Sequence, residues 1–209
     1  MTSRPDHSRE DALGSLVCGV DECGRGALVG PVVAAAVVIP REALPLLDEV
    51  ADSKALSAAR RAILSERIRA SCRFAIGEAD VEEIARLNIL KATFLAMRRA
   101  VEGLGFVAEH ALIDGNRIPP GLPCPATAVI KGDAHCLSVA AASIVAKVHR
   151  DALLARLHRD HPDYGWDRNA GYGTPDHLAA IARVGPCGHH RATFAGVREH
   201  FEPRQLAFL

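Results

Sequence analysis

The segment Val17–Gly30, VCGVDECGRGALVG, sets two acids side by side between an apolar run and a glycine-rich stretch. A second apolar run, Pro31–Ile39, follows at once. Short apolar runs rich in valine and bounded by glycine and proline predict strands, so the stretch reads strand, turn, strand, with Asp21 and Glu22 closing the first strand. VVAAAVVI at 32–39 offers no polar face and is expected to lie centrally, buried on both sides. Two neighbouring carboxylates repel each other, and a bound cation relieves that repulsion. A turn walled by Gly24 and Gly26 lets main-chain N–H groups come close to a phosphate or a sugar hydroxyl. A metal on one side of the turn and a sugar-phosphate on the other is the chemistry this stretch suggests.

The rest of the chain supplies the remaining layers. Ser57 is placed to cap a helix AARRAILSERIRAS, and Cys72–Ile76 reads as a third strand. Asp80 and Glu83 form a D-x-x-E capping signature. Asn88 then opens a helix whose Leu90, Phe94, Met97 and Val101 share a face, stopped by Gly103 and Gly105. His110–Asp114 predicts a fourth strand ending on an acid, and Ala126–Ile130 a fifth, followed by the turn Lys131–Asp133. A long helix is expected from about Cys136 to Arg159, its small residues Ala140–Ser143 and Ala146 suited to close packing on a sheet. This order predicts an α/β fold with a mixed sheet, antiparallel first and parallel later.

In open sheets of this kind ligands gather at strand ends near the switch in strand order. Asp21 and Asp114 end strands, and Asp133 lies just past one, so Asp21, Glu22, Asp114 and Asp133 are expected to converge. Carboxylates without a Cys or His ligand pattern suit hard cations such as Mg²⁺ or Mn²⁺. Two such ions about 4 Å apart can activate a water against a phosphodiester and stabilise the leaving oxygen. A dinucleotide-binding reading of the glycines fails on context: the spacing is not GxGxxG, the acids would repel a pyrophosphate, and Pro31 opens a strand where a helix should start.

The net charge of zero over 209 residues argues against a protein that coats nucleic acid non-specifically, but leaves a nuclease open. No apolar run is long enough for a membrane span, and the polar N-terminus carries no secretory segment, so the cytoplasm is the expected location. The six cysteines form no CxxC pair and read as reduced thiols. Cys187, His189 and His190 give C-x-H-H, which lacks the second ligand pair of a zinc finger and is read as a polar loop. His135, two residues after Asp133, is read either as approaching the site or as a helix-start residue, and Tyr164 and Trp166 as packing residues.

The block DE-x-GRG at Asp21–Gly26, followed by GPVVAAAVVI, resembles the signature of prokaryotic ribonuclease HII. The resemblance continues in order through DSK-x-LS at 52–57, NIL-x-A at 88–92, IDGN at 113–116 and KGD at 131–133. It extends through SVAAASIVAKVHRD at 138–151, GYGT at 171–174 and HR-x-TF at 190–194. It implies a ribonuclease-H-like fold: a central five-stranded mixed sheet flanked by helices, with a flexible tail at 1–14, a catalytic domain at 15–160 and a C-terminal helical extension at 161–209. It implies an endonuclease that cuts the RNA strand of RNA–DNA hybrids and nicks 5′ of single ribonucleotides in duplex DNA, using two divalent ions held by the same four acids. Gly24, Arg25 and Gly26 would read the ribose 2′-OH, and Tyr172 would pack on the neighbouring deoxyribose. Lys54, Ser143, Lys147 and Arg150 would contact phosphates.

The departures from the family pattern are Cys23 for Ala, Ala27 for Pro and Ala170 for Lys, the first raising the question of a redox-sensitive site. Gln205–Leu209, QLAFL, is similar, with its last two residues exchanged, to the short peptide by which replication proteins dock on the sliding clamp; it raises a weak clamp contact, while a tail packed on its own domain is the favoured reading, and a monomer is expected. Two rivals bear weighing. A nuclease of branched DNA would lack the GRG turn, and a non-catalytic hybrid-binding module gains nothing from acids placed against phosphate.

Overall fold

The computed structural model describes residues 4–201. In chain order the elements are α1 (Ser8–Leu13), β1 (Val17–Cys23), β2 (Val32–Val38), α2 (Ala58–Ser71), β3 (Arg73–Ala79), α3 (Val81–Leu87), α4 (Ile89–Glu102), β4 (His110–Asp114), β5 (Ala126–Val129), α5 (Leu137–Asp160), α6 (Trp166–Asn169) and α7 (Pro175–Val184). The caps are those the sequence signals. The Ser57 side chain accepts from the Arg60 N–H ahead of α2, and Asp80 and Glu83 close a reciprocal capping box on α3.

The strands form one sheet in the order β3-β2-β1-β4-β5. β1 pairs antiparallel with β2, and β2 with β3; β1 pairs parallel with β4, and β4 with β5. The expected antiparallel-then-parallel sheet is therefore present. β1 lies between the two halves, where the strand direction switches. Every residue of β2 is buried, which explains the absence of polar alternation in its sequence.

Both faces of the sheet are covered. Val32, Ala34, Ala36 and Val38 pack with Ala92, Ala96, Met97 and Ala100 of α4. Val33, Ala35 and Val37 pack with Ala140–Ala142 and Ile144–Ala146 of α5 and with Leu64 and Ile68 of α2. Helix backbones sit directly on the sheet at two glycines. A Cβ added to Gly19 would run into the main chain of Ser138 and Val139, and one added to Gly77 would run into the main chain of Ala96 and Ala100. A separate apolar cluster, built from Leu28, Val29, Leu154, Trp166, Ile181 and Val197 among others, joins the C-terminal elements to the turn after β1.

The free tail expected at 1–14 is corrected over its described part. Cys136 precedes α5 but makes no side-chain cap, so the first N–H groups of that helix need acceptors from elsewhere. The Asp6 carbonyl accepts from Leu137 N–H at 2.9 Å. The buried Glu10 carboxylate accepts from the Ser138 N–H at 2.8 Å and its hydroxyl at 2.6 Å. The N-terminal segment thus caps the central helix, its oxygens meeting the positive end of the helix dipole.

Candidate active site

Strand alternation sends successive side chains of β1 to opposite faces. Asp21 therefore projects toward α5, on the side of Gly19, and Glu22 toward α4, on the side of Val20. Asp114 ends the neighbouring parallel strand, where Val20 is registered against Ile113, so the next residues along, Asp21 and Asp114, come together. Carboxylate oxygens of Asp21, Glu22 and Asp114 all lie within 4.8 Å of one another. Asp114 is held in place by the Gly132 N–H, which donates to its Oδ1 at 2.7 Å.

The cost of this convergence shows in the titration of the group. Burial, then the charges of Glu22 and Asp114, push the Asp21 pKa well above the usual carboxylate range. Glu22 is also raised, by burial first, while Arg25, donating to Glu22 Oε1 at 3.2 Å, pulls the other way. An all-oxygen donor set, half-buried and short of countercharge, fits a hard divalent cation such as Mg²⁺ or Mn²⁺. Asp133 stands outside the 4.8 Å group, on the tight turn Gly132–Ala134 after β5. Its pKa is raised by burial and then by Asp114 and Asp52, with Lys54 opposing, so it shares the same electrostatic field.

A cavity of about 420 Å³ opens beside the acids. It is lined by Asp21, Glu22, Gly24, Arg25, Gly26, Lys54, Ser143, Lys147, Asp114 and Tyr172, so most of the residues expected at the site share one space. Lys54 is exposed on its rim. Burial works to lower its pKa, but the carboxylates of Asp133, Asp52, Asp21 and Asp114 outweigh that and leave it raised. The Lys147 ammonium donates to Asp151 at 2.7 Å. Ser143 is buried, its hydroxyl 2.7 Å from that of Ser53.

Arg150 does not reach the cavity, which corrects its expected phosphate contact. It is fully buried and donates to the carbonyls of Val29 at 2.8 Å, Ala170 at 2.9 Å and Pro31 at 3.3 Å. A second buried arginine, Arg191, donates to the carbonyls of Gly30 and Arg25, both at 2.9 Å. Burial, then the Arg150 charge, lowers Arg191 to about 9, which leaves it a cation at neutral pH. Two guanidiniums thus draw the carbonyls of the 25–31 turn inward, while Gly24, Arg25 and Gly26 face the cavity. Gly24 has φ +91°, and an added Cβ there would run into Arg150 Nε, so the glycine is needed on both counts.

The same turn is tied to the Tyr172 loop. Leu28 N–H donates to the Gly171 carbonyl at 2.8 Å, and the Arg150 guanidinium lies 5.8 Å from the Tyr172 ring centre. Tyr172 is 38% exposed, in keeping with a ring kept free for a ligand. Beneath it lies a buried histidine chain. Trp166 Nε1–H donates to His177 Nε2 at 3.0 Å, and His177 Nδ1 is 2.8 Å from the Tyr172 carbonyl. His190 Nε2 is 3.2 Å from His177 Nε2, and His190 Nδ1 accepts from Cys187 N–H at 3.0 Å. With both rings neutral, the proton of His177 lies on Nδ1 and that of His190 on Nε2, and Trp166 Nε1–H and His190 Nε2–H share the single lone pair of His177 Nε2.

The C-x-H-H stretch is therefore a packed hydrogen-bond chain in which both ring nitrogens of His190 already have partners. Tyr164 and Trp166 stack at 4.9 Å beside it, as packing residues. His135 ends the tight turn after β5. Cys23 is half-buried, and burial raises its thiol pKa, which keeps it protonated and weakly nucleophilic at neutral pH. Sequence reasoning missed the supporting roles of Arg191, His177 and His190; the quoted HR-x-TF block was the available signal. Gln205–Leu209 lie outside the described residues.

Among the described residues no helix is long and apolar enough to cross a membrane. Comparison with known proteins gives a consistent result. The family model described as Ribonuclease HII matches residues 18–202. A ribonuclease HII from Paramagnetospirillum magneticum is 57% identical over 198 residues, spanning 94% of this chain and 98% of the relative. One from Rhodospirillum rubrum is 58% identical over 199 residues, spanning 93% and 91%. A chain of the PCNA:RNase HII complex from Archaeoglobus fulgidus matches with a TM-score of 0.72 at 28% identity, covering 86% of this chain and 95% of that one. The five-stranded mixed sheet with its flanking helices is the ribonuclease-H-like fold.

Proposed function

The chain belongs to the ribonuclease HII family, metal-dependent endonucleases that cleave the RNA strand of RNA–DNA hybrids, and from that premise we propose a finer activity for it. It nicks 5′ of single ribonucleotides embedded in duplex DNA, with two Mg²⁺ or Mn²⁺ ions, and leaves 3′-hydroxyl and 5′-phosphate ends. The observation that carries this reading is the placement of three carboxylates within 4.8 Å of one another against a glycine turn whose carbonyls are held by buried arginines.

Asp21, Glu22 and Asp114 hold the ions, and Asp133 on the adjoining turn is the fourth donor. When bound, divalent cations neutralise charge on the scissile phosphate and activate a water for attack on phosphorus. Gly24, Arg25 and Gly26 present main chain to the ribose 2′-OH, and Arg191 and Arg150 keep that surface from relaxing. Tyr172 packs against the deoxyribose that follows the ribonucleotide. Lys54, Lys147 and Ser143 line the wall available to phosphates, whereas Arg150 acts only from behind the turn. The enzyme works as a cytoplasmic monomer, and Gln205–Leu209 supply a weak sliding-clamp contact, a reading supported by the relative from Archaeoglobus fulgidus in complex with PCNA.

The test is cleavage of a duplex carrying one ribonucleotide, beside an all-DNA duplex, an Asp21→Asn variant and an EDTA-treated sample. A single nick 5′ of the ribonucleotide, absent from all three controls, is the expected result. Cutting of long hybrids alone would refute the single-ribonucleotide activity, and hybrid binding without any cutting would favour a binding module.

A further inference from the structure

The acid cluster stands between two cavities, because alternation along β1 turns Asp21 to the α5 face and Glu22 to the α4 face. The cavity with the glycine turn and Tyr172 lies on the first side. A second cavity, of about 360 Å³, lies on the other and shares Glu22, Arg25 and Asp114 with the first. Its chemistry differs. Leu90, Phe94 and Met97 of α4 contribute apolar surface, and Asn116 and Arg117, both exposed, come from the loop after β4. Its one hydroxyl, on Thr93, is already engaged, donating to the Ile89 carbonyl at 2.8 Å.

We propose that this second cavity is the subsite for the nucleotide on the 5′ side of the cut, with Arg117 binding the phosphate one step further 5′. The inference rests on the single-ribonucleotide reading. There the scissile phosphate sits at the acids, and the ribonucleotide and its 3′ neighbour lie along the glycine turn and Tyr172. A strand passing through that phosphate and leaving the Tyr172 side enters the space beyond Glu22 and Asp114, which is this cavity. Its apolar surface suits a sugar face, and a guanidinium and an amide beyond that surface suit a phosphate. The Thr93 proton is already donated to the Ile89 carbonyl, and Gly24 and Gly26 line only the first cavity, so nothing here repeats their main-chain reading of a 2′-OH and the subsite accepts a deoxyribose. A strand that is DNA on the 5′ side of its ribonucleotide is thereby admitted.

Arg117 is exposed, so Arg117→Ala leaves the core intact. Its effect is read against a substrate in which the phosphate one step 5′ of the cut is a neutral methylphosphonate. Removing the guanidinium raises KM about tenfold with kcat within about twofold, the size expected for one charged hydrogen bond. The methylphosphonate costs the parent enzyme about the same, and costs Arg117→Ala less than about twofold more, because the two changes remove one interaction. Arg117→Lys, which keeps the charge but not the fork, falls between. Multiplying losses, or an Arg117→Ala variant equal to the parent, overturns the subsite while the parent's nick stands. A parent that leaves the ribonucleotide duplex uncut overturns the reading beneath it instead.

Discussion

Replacing His190 tests whether the histidine chain beneath Tyr172 must be neutral. The ring is 4% exposed, with Nδ1 accepting from Cys187 N–H and Nε2 facing His177. A proton added at Nδ1 would set one N–H against another. Burial, then the neighbouring His177, lowers the His190 pKa from its usual 6.5 to about 4. Because the folded value is depressed, the unfolded chain binds the proton first as pH falls. Stability from the neutral ring is full above about pH 6.5 and is lost progressively down to about pH 4. The extra proton bound by the unfolded chain across that window corresponds to roughly 3 kcal/mol.

The assay is urea unfolding of the parent and of His190→Gln, which keeps an amide donor and acceptor without a titrating ring, at pH 7.5 and pH 4. Carboxylates titrate in both proteins, so the quantity that matters is the difference between the two. The parent should lose about 3 kcal/mol more than the variant between those pH values. A parent-to-variant difference that stays constant within about 0.5 kcal/mol would refute the neutral, fully bonded assignment of His190.

Gly24→Ala forces a Cβ into a positive-φ position and into Arg150, so it should destabilise the fold by roughly 3 kcal/mol. It should also lower kcat/KM on a ribonucleotide-containing duplex at least about a hundredfold, since misplaced positioning groups cost on that order; near-parent values in steady-state kinetics would show the turn to be unconstrained. Glu10→Ala strips the buried Ser138 N–H and hydroxyl of their acceptor, at a cost of about 2 kcal/mol. Calorimetry should show Tm lowered by about 4–8 °C with cleavage at 25 °C unchanged, and an unshifted Tm would mean the segment does not cap α5.

The layers of this fold were legible because local chemistry marks their ends. The apolar run of β2, the Ser57 cap, the Asp80–Glu83 box and the acid closing β4 each announce an element within a few residues. The three clustered acids were legible for the same reason, since strand ends can be counted and Asp114 follows directly from its strand. Arg150 was not. Whether its fork faces solvent or the carbonyls of residues 29, 31 and 170 depends on segments up to 121 positions apart, and no window of sequence contains them. The cap on α5 was hidden likewise, since Glu10 and Ser138 are 128 positions apart and the N-terminal stretch reads as polar on its own. Asp133 is marked by its turn in the same way, but strand counting carries no distance, and its carboxyl is not among the three that lie within 4.8 Å of one another.

The contacts at Gly19 and Gly77 bear on how the acid cluster survives without a cation. At most sheet–helix interfaces a close-packed layer of side chains separates the two backbones. Here α5 and α4 rest main chain against main chain on opposite faces, and one of those seats lies two residues before Asp21. Carboxylates that repel one another would ordinarily spread until the repulsion faded. A sheet gripped in this way resists that spreading, so the repulsion is held as a load that a proton on Asp21 or a cation relieves, in keeping with the raised Asp21 pKa. A divalent cation entering the cluster releases that load, and it acts as a folding ligand as well as a reagent. The same rigidity that keeps the site ready in the ion's absence thus makes the ion a contributor to the stability of the whole sheet.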